Sequence, residues 1–129
     1  MNIAIVDDRK EDRERLSSIL RQYAHAHGEK LKIQHFESAE ALLDGYRPFL
    51  YAILFLDIYM DGMSGMAAAE IIRELDGDVI LVFLTTSEEH HVRALHNHAF
   101  DYIDKPADPI EICRIMDDIL KRKTALSQS

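Results

Sequence analysis

A lone carboxylate, Asp57, ends the apolar run of residues 52–56, and no polar residue comes before it. The run is too short for a helix, so its composition predicts a strand that is buried on both faces. A charge at the end of a buried strand costs free energy unless another group pairs with it. Because short polar residues favour caps and turns, Asp57 considered alone is best explained as a cap or a strand end.

Three further predicted strands also end in residues that can do chemistry. The residues at those ends are Asp7 with Asp8, Thr85, and Lys105. In an open sheet of parallel strands, ligands bind beyond the carboxyl ends of the strands. We therefore consider these residues together with Asp57 as one candidate site.

Asp7, Asp8 and Asp57 would repel one another if they converged, which raises carboxylate pKa values or requires a cation. Mg²⁺ meets that requirement, because it binds carboxylate and carbonyl oxygens and keeps water positions for a phosphate. Mn²⁺ is the alternative ion. Lys105 adds a positive charge and Thr85 a hydroxyl, so the set suits phosphoryl transfer onto a carboxylate nucleophile. The chain has no glycine-rich phosphate loop, which argues against nucleotide binding.

Five strand-like segments alternate with five helix-like segments along the chain. The predicted strands are residues 3–6, 31–36, 52–56, 79–84 and 99–104. The predicted helices begin near Glu11, Ser38, Ser64, Glu88 and shortly before Ile112. Residues 31–36 alternate in polarity, which is typical of a strand at a sheet edge.

This alternation predicts an α/β fold, a doubly wound five-stranded parallel sheet with helices on both faces and right-handed crossovers. Five units are too few for an eight-stranded barrel. The flavodoxin-like strand order 2-1-3-4-5 places the switch point between the first and third strands. In this chain those strands end in Asp7-Asp8 and in Asp57.

The composition is that of a single acidic domain. The 129 residues carry a formal net charge of −8, and 47% of them are hydrophobic. Such a domain is not expected to bind nucleic acid directly, because phosphate contacts need a basic surface. The lone Cys113 excludes an internal disulfide, and no apolar run reaches the roughly 20 residues of a membrane span. No basic leader precedes residue 3, so we expect a cytoplasmic protein without membrane contact.

Four motifs, in order and each at a predicted strand end, closely resemble the receiver domain of bacterial response regulators, which has a CheY-like fold. They are Val6-Asp7-Asp8; Leu56-Asp57-Ile58-Tyr59-Met60 with Gly62 and Gly65; Leu84-Thr85-Thr86; and Asp101-Tyr102-Ile103-Asp104-Lys105-Pro106. The resemblance covers about residues 1–122, and we expect a receiver over 1–123 followed by a polar tail over 124–129. It implies a signalling phosphoacceptor of a two-component phosphorelay, which promotes its own phosphoryl transfer and slow dephosphorylation but is not an enzyme.

The resemblance also implies roles for individual residues. Asp57 would be phosphorylated by a sensor histidine kinase. Asp8, Asp57 and the backbone carbonyl of Tyr59 would bind Mg²⁺, with Asp7 acting partly through water. Lys105 would contact the phosphoryl group.

A switch pair and a cis peptide bond are implied as well. Thr85 and Tyr102 match the pair in which the hydroxyl closes on the phosphoryl group and the aromatic ring turns inward. A half-buried strand aromatic is the plainer explanation of Tyr102. The bond between Lys105 and Pro106 would be cis.

Within the family, residues 57–65 and 99–102 are most similar to receivers that carry a LytTR-type DNA-binding domain. Such a domain would follow the last helix, so the chain is either a stand-alone receiver or, as we slightly favour, a part of a longer regulator. Two departures bear on kinetics: Asp61 stands where many receivers have proline, and Thr86 stands where a small residue is usual. Tyr59 and Ser87 occupy positions that tune dephosphorylation in the family.

Two other functions stay open. A degenerate receiver would bind a partner without phosphorylation, although the intact Asp57 and Lys105 argue against it. A hydrolase of the haloacid dehalogenase type also uses an aspartate at a strand end. That family needs a second aspartate two residues later, where this chain has Tyr59.

The predicted fourth helix contains a group of histidines, which are His90, His91, His96 and His98. No pair of them has the i, i+3 or i+4 spacing of metal ligands on one helical face, so a solvated face is the better explanation.

A homodimer enhanced by phosphorylation is expected through the face of the fourth and fifth predicted helices and the last strand, as in many transcriptional receivers. The charged residues assigned to this face are Arg93, Asp101, Asp104, Arg114, Asp117, Asp118 and Lys121.

Overall fold

Five parallel strands run through the centre of the structure. The computed structural model describes residues 1–86 and 99–128. In that part of the chain the strands are β1 (Asn2–Val6), β2 (Lys32–Phe36), β3 (Ile53–Asp57), β4 (Ile80–Thr85) and β5 (Asp101–Asp104). The helices there are α1 (Lys10–His27), α2 (Ala39–Leu43), α3 (Gly65–Leu75) and α4 (Pro109–Gln128).

The strand order is β2-β1-β3-β4-β5, and every neighbouring pair is parallel. The predicted doubly wound order is therefore confirmed, with β2 at the predicted edge. Val6 of β1 lies opposite Leu56 of β3. Because the two strands run in the same direction, the next residues, Asp7 and Asp57, reach the same edge of the sheet side by side.

Apolar side chains cover both faces of the sheet, as a parallel sheet requires. Ile3 and Ile5 of β1 belong to a buried cluster with α1 and α4, whereas Ala4 and Val6 belong to a cluster with α2 and α3. All five residues of β3 are buried. Since full burial of a large apolar side chain contributes about 1.5–3 kcal/mol, this core holds the central strands in their register.

α2 and α3 begin where the sequence predicts, directly after Ser38 and Ser64. Ser38 Oγ accepts a hydrogen bond from the Ala41 N–H at 3.0 Å, and Ser64 Oγ accepts one from the Ala67 N–H at 3.1 Å. Such N-caps contribute about 0.5–2 kcal/mol each. Gly28 ends α1 in the left-handed region, with φ at 66°.

One expectation differs from the structure. α4 continues to Gln128, so residues 124–128, predicted as part of a polar tail, are helical; the alanine, leucine and glutamine residues of this segment are strong helix formers. Leu75, the last residue of α3, has 48% of its surface exposed, and the buried residues Ala68, Ala69 and Ile72 form the inner face of the helix. The domain boundary at residue 123 stays a prediction.

The predicted helix over 88–98, including its histidines, lies outside the described residues. Within the described ranges, none of the helices combines the length and the apolar content that crossing a membrane requires.

Gly65 begins α3 directly against the end of β3. A Cβ added at this position would lie 2.1 Å from the carbonyl oxygen of Asp57 and 2.9 Å from its carbonyl carbon. The Gly65 N–H donates to the Ile58 carbonyl at 3.0 Å. Only a residue without a side chain permits this approach, so Gly65 sets the distance between α3 and the backbone of Asp57.

We expect Gly65→Ala to lower the free energy of unfolding by about 1–3 kcal/mol, because the added methyl group would displace the backbone at Asp57. Gly77→Ala is the matched control, since a Cβ at Gly77 would meet no atom within 4 Å. Urea unfolding of both variants measures the difference. Equal stability of the two variants would contradict the close approach at Gly65.

Candidate functional site

Three carboxylates meet at the carboxyl edge of the sheet. One oxygen from each of Asp7, Asp8 and Asp57 lies within 4.8 Å of the other two. Asp7 and Asp57 are buried, with 0% and 4% of their surface exposed, whereas Asp8 is exposed. The structure thus brings together the aspartates that the sequence places at two separate strand ends.

Lys105 provides a positive charge among these carboxylates. Its ammonium lies 2.7 Å from Asp7 Oδ2 and 3.2 Å from Asp57 Oδ2. The backbone N–H of Lys105 donates a hydrogen bond to the Thr85 carbonyl at 2.7 Å. This bond fixes the end of β5 beside the end of β4. The peptide bond between Lys105 and Pro106 is cis.

Two residues that the sequence analysis did not select, Asp12 and Arg13, also reach this region. Asp12 Oδ2 lies 3.2 Å from the Lys105 ammonium. Arg13 is buried, and its Nη1 donates to the Asp7 carbonyl at 2.6 Å. No motif marks Asp12, whereas Arg13 precedes Leu16 by three residues on the predicted apolar face of α1, which is a signal that its side chain is buried.

Backbone N–H groups of the loop after β3 hold two of the carboxylates. The Tyr59 N–H donates to Asp57 Oδ1 at 3.3 Å, and the Asp61 N–H donates to Asp8 Oδ2 at 3.3 Å. Proline, which many receivers have where this chain has Asp61, lacks the N–H and would leave this second bond unmade. The departure at Asp61 therefore adds a contact to the carboxylate cluster.

Burial raises the pKa of Asp57 to about 6; the Lys105 ammonium opposes this rise, and the Asp7 carboxylate adds to it. Burial by itself lowers the pKa of Lys105, but hydrogen bonds and attraction to Asp7 and Asp57 outweigh it, so the pKa of Lys105 is raised overall. At neutral pH, Asp57 is mostly ionised and Lys105 is protonated.

This donor set fits a hard divalent cation. Asp7, Asp8 and Asp57 face the single ammonium of Lys105, so the cluster keeps an excess of negative charge. Carboxylate oxygens suit Mg²⁺ and Mn²⁺, which keep bound water on an open side of the site. The exposed carboxylate of Asp8 lies on such an open side.

Thr85 and Tyr102 lie on the neighbouring strands β4 and β5. The Thr85 side chain is buried, and its Oγ1 donates to the Thr86 carbonyl at 3.2 Å. Tyr102 is half-buried, and its ring stacks on Phe83 with 5.6 Å between the ring centroids. In this structure the Thr85 hydroxyl is therefore bonded to its own strand end, and the Tyr102 ring packs against the cluster that includes α2 and α3.

A comparison with protein-family models decides the family of this chain. The model of the response regulator receiver domain matches residues 3–117, which is most of the chain. The chain belongs to the response regulator receiver family.

Curated relatives agree with this assignment. The receiver domain is 37% identical over 124 residues to an uncharacterized response regulatory protein of Shewanella oneidensis, and the match covers 93% of this chain and 49% of that protein. It is 32% identical over 108 residues to the sensory transduction protein LytT of Oceanobacillus iheyensis, with 82% of this chain and 42% of LytT covered. The receiver chain thus spans less than half the length of these two relatives.

A solved structure agrees as well. The response regulatory domain of protein mrkE from Klebsiella pneumoniae is 28% identical to this receiver, with a TM-score of 0.75 and a match that covers 100% of both chains. The five-stranded sheet and its order are those of a CheY-like receiver.

In the metal-free receiver, we expect Asp57→Asn to raise the free energy of unfolding near pH 7.5 by about 1–3 kcal/mol. Folding raises the pKa of Asp57 from 3.8 to about 6. The stability that this group contributes is therefore complete at low pH and is lost as pH rises through 6. Asparagine does not ionise, so the variant does not lose this stability. The difference in the free energy of unfolding between the variant and the wild type should therefore shrink towards pH 4. Urea unfolding of both proteins in EDTA, near pH 7.5 and near pH 4, measures this difference.

Asp61→Asn removes an exposed carboxylate from the same loop and serves as the control. An equal effect of the two substitutions, or an effect of Asp57→Asn that does not change with pH, would contradict the raised pKa.

Proposed function

We propose that this receiver accepts a phosphoryl group on Asp57 from a sensor histidine kinase, in a reaction that requires Mg²⁺. The aspartyl phosphate then switches the conformation of the domain and so controls an output. The observation that carries this proposal is the contact of the Lys105 ammonium with both Asp7 and Asp57, beside the exposed Asp8. A nucleophile, a cation for phosphoryl oxygens and a metal-binding cluster then share one sheet edge.

The transfer step forms one bond and breaks one. An oxygen of the ionised Asp57 carboxylate attacks phosphorus, and the bond between phosphorus and the imidazole nitrogen of the donor breaks. The electron pair of that bond leaves with the imidazole, which takes up a proton from water. No general base is needed, because a pKa of about 6 leaves Asp57 mostly ionised at neutral pH.

Charge on the transferred group is stabilised from two sides. Lys105, already directed at the Asp57 carboxylate, would donate to the phosphoryl oxygens. Mg²⁺ supplies further neutralisation when bound, and Asp8, Asp57 and the Tyr59 carbonyl would hold it, with Asp7 acting partly through water.

Thr85 and Tyr102 form the switch in this proposal. A phosphoryl group adds about −1.5 to −2 charges and three acceptor oxygens. The Thr85 hydroxyl would exchange its neutral bond to the Thr86 carbonyl for a charge-assisted bond to the phosphoryl group, worth about 1.5–3 kcal/mol. The Tyr102 ring would then turn inward, into the space that the Thr85 side chain leaves. Coupling free energies of about 1–3 kcal/mol shift a population five-fold or more.

We also propose that phosphorylation enhances a homodimer of this receiver. Arg114 pairs with Asp101 at 3.6 Å, so charges of both signs lie on the β5 side of α4. Asp117, which the sequence analysis assigns to this face, also reaches α1, because its Oδ1 accepts a hydrogen bond from the Tyr23 hydroxyl at 2.5 Å. Arg93 lies outside the described residues.

The output that we infer is transcription, through a LytTR-type DNA-binding domain. The relatives named LytT are sensory transduction proteins that extend well beyond the region matched here. A net charge of −8 makes the receiver itself unsuited to DNA contacts, so a further domain would make them. Such a regulator would act in the cytoplasm.

A receiver that binds its partner without phosphorylation is the second candidate. Thr86 favours it, because receivers usually have a small residue at this position and a larger side chain would narrow the access to the phosphoryl site. The haloacid dehalogenase alternative is not proposed, since the chain belongs to the receiver family.

Incubation with Mg²⁺ and a small phosphodonor is expected to add one phosphoryl group to the protein, measured as intact mass. Asp57→Asn and removal of Mg²⁺ should each abolish the gain, because the first removes the nucleophile and the second the charge neutralisation. A failure of the wild-type protein, followed by a gain in Thr86→Ala, would locate the obstacle at Thr86. Failure of both proteins would favour the second candidate.

Thr85→Val and Thr85→Ser test the switch. In Mg²⁺ and beryllofluoride, which mimics the phosphoryl group, the serine variant should respond as wild type does. The valine variant should bind beryllofluoride but lose the change in amide hydrogen exchange over residues 99–104, and its dimer in sedimentation should weaken. Valine keeps the shape of threonine and lacks only the hydroxyl. A normal response of Thr85→Val would show that the hydroxyl is not the switch.

A further inference from the structure

Asp12 brings a further carboxylate to the Lys105 ammonium. Its Oδ2 lies 3.2 Å from Lys105 Nζ, which is the distance between Lys105 Nζ and Asp57 Oδ2 as well. The Asp12 side chain has 25% of its surface exposed, against 16% for Lys105 and 6% for Asp57. Asp12 therefore contacts the ammonium on the side of Lys105 that is nearer to solvent.

An ammonium has three N–H donors, and three carboxylates surround this one. Asp7 lies at 2.7 Å, and Asp12 and Asp57 each lie at 3.2 Å. A phosphoryl group on Asp57 would bring new oxygens to the same donors. It can gain a full contact with Lys105 only if one of the present acceptors gives way.

Asp12 is the acceptor that can give way at the lowest cost. Asp7 is fully buried, and its Oδ1 also accepts a hydrogen bond from the Arg9 N–H at 3.0 Å. Asp12 borders water, so water can solvate its carboxylate when the ammonium leaves. Losing the contact with Lys105 therefore costs Asp12 little free energy. Its Oδ2 also lies 3.5 Å from Arg9 Nε, so a second cation is available to it.

We propose that Asp12 is a positioning residue that holds Lys105 in the unphosphorylated state and competes with the phosphoryl group for it. Asp12 lowers the affinity of the site for a phosphoryl group and shortens the life of the aspartyl phosphate. The inference rests on the proposed function and deepens it, since it names a residue that sets how readily the same site is occupied.

The competition predicts opposite effects on anions and cations. Without the Asp12 charge, Lys105 is freer to contact an anion, and less negative charge repels that anion. The same loss of negative charge weakens the attraction of Mg²⁺. Structural damage to the site would instead weaken the binding of both ions, so the signs of the two changes separate the two explanations.

The test compares Asp12→Asn with Glu11→Gln. Both substitutions remove one carboxylate charge from the first turn of α1, so their effects on the helix dipole are matched. Mg²⁺ is titrated alone, and beryllofluoride is then titrated at saturating Mg²⁺. We expect Asp12→Asn to bind beryllofluoride about two- to tenfold more tightly than wild type and to bind Mg²⁺ more weakly, while Glu11→Gln stays close to wild type.

Asp12→Glu keeps the charge and should behave like wild type, and Asp12→Ser repeats the test if the asparagine variant does not fold. Equal beryllofluoride affinity in Asp12→Asn and Glu11→Gln would overturn the role of Asp12 and leave the proposed function standing. Weaker binding of both ions to Asp12→Asn would show a structural role and overturn the inference. A wild-type protein that binds no beryllofluoride and accepts no phosphoryl group would overturn both.

Discussion

The rest of the site depends on one ammonium among carboxylates. Lys105 lies 2.7 Å from Asp7 and 3.2 Å from Asp57, and both of these carboxylates are buried. Removing such charges from water costs several kcal/mol per ion, and attraction to Lys105 offsets that cost only in part. The cluster is therefore short of positive charge. Burial, together with the Asp7 carboxylate, raises the pKa of Asp57, and the excess of negative charge makes the cluster suitable for a divalent cation.

Sheet geometry allows the protein to hold this unfavourable arrangement. The aspartates and Lys105 stand at the ends of parallel strands whose apolar residues form the core on both faces. The backbone at such a point cannot move away without disturbing strand pairing. α3 adds a further restraint, because Gly65 lets it begin in contact with the Asp57 carbonyl. The core thus supplies the free energy that keeps like charges together.

A site of this kind is well suited to change state. The Thr85 hydroxyl and the Lys105 ammonium are both bonded in the present structure, the first to the Thr86 carbonyl and the second to carboxylates. Activation would exchange these bonds for others of similar strength, so a modest difference in free energy decides between the states. Groups at the exposed side of the cluster, such as Asp12, then influence the balance without taking part in bond formation.

Much of the fold and part of the site could be predicted from the sequence. The strand order follows from the alternation of short apolar runs with amphipathic segments, because parallel crossovers allow few topologies. Asp7, Asp8 and Asp57 could be selected because they end apolar runs, where an unpaired charge would be costly, and Lys105 because it ends a further predicted strand. Ser38 and Ser64 were identifiable as caps, since capping depends on neighbouring residues alone.

Only the tertiary structure decided which other side chains reach these residues. Asp12 and Asp117 look alike in sequence, as acidic residues on amphipathic helices. One contacts Lys105 across the edge of the sheet, and the other accepts a hydrogen bond from Tyr23. These outcomes depend on how each helix is rotated and how closely it packs, and both follow from the fit of many core side chains at once. Local pattern carries no record of that fit, so the size of the rise in the pKa of Asp57, which depends on it, could not be predicted either.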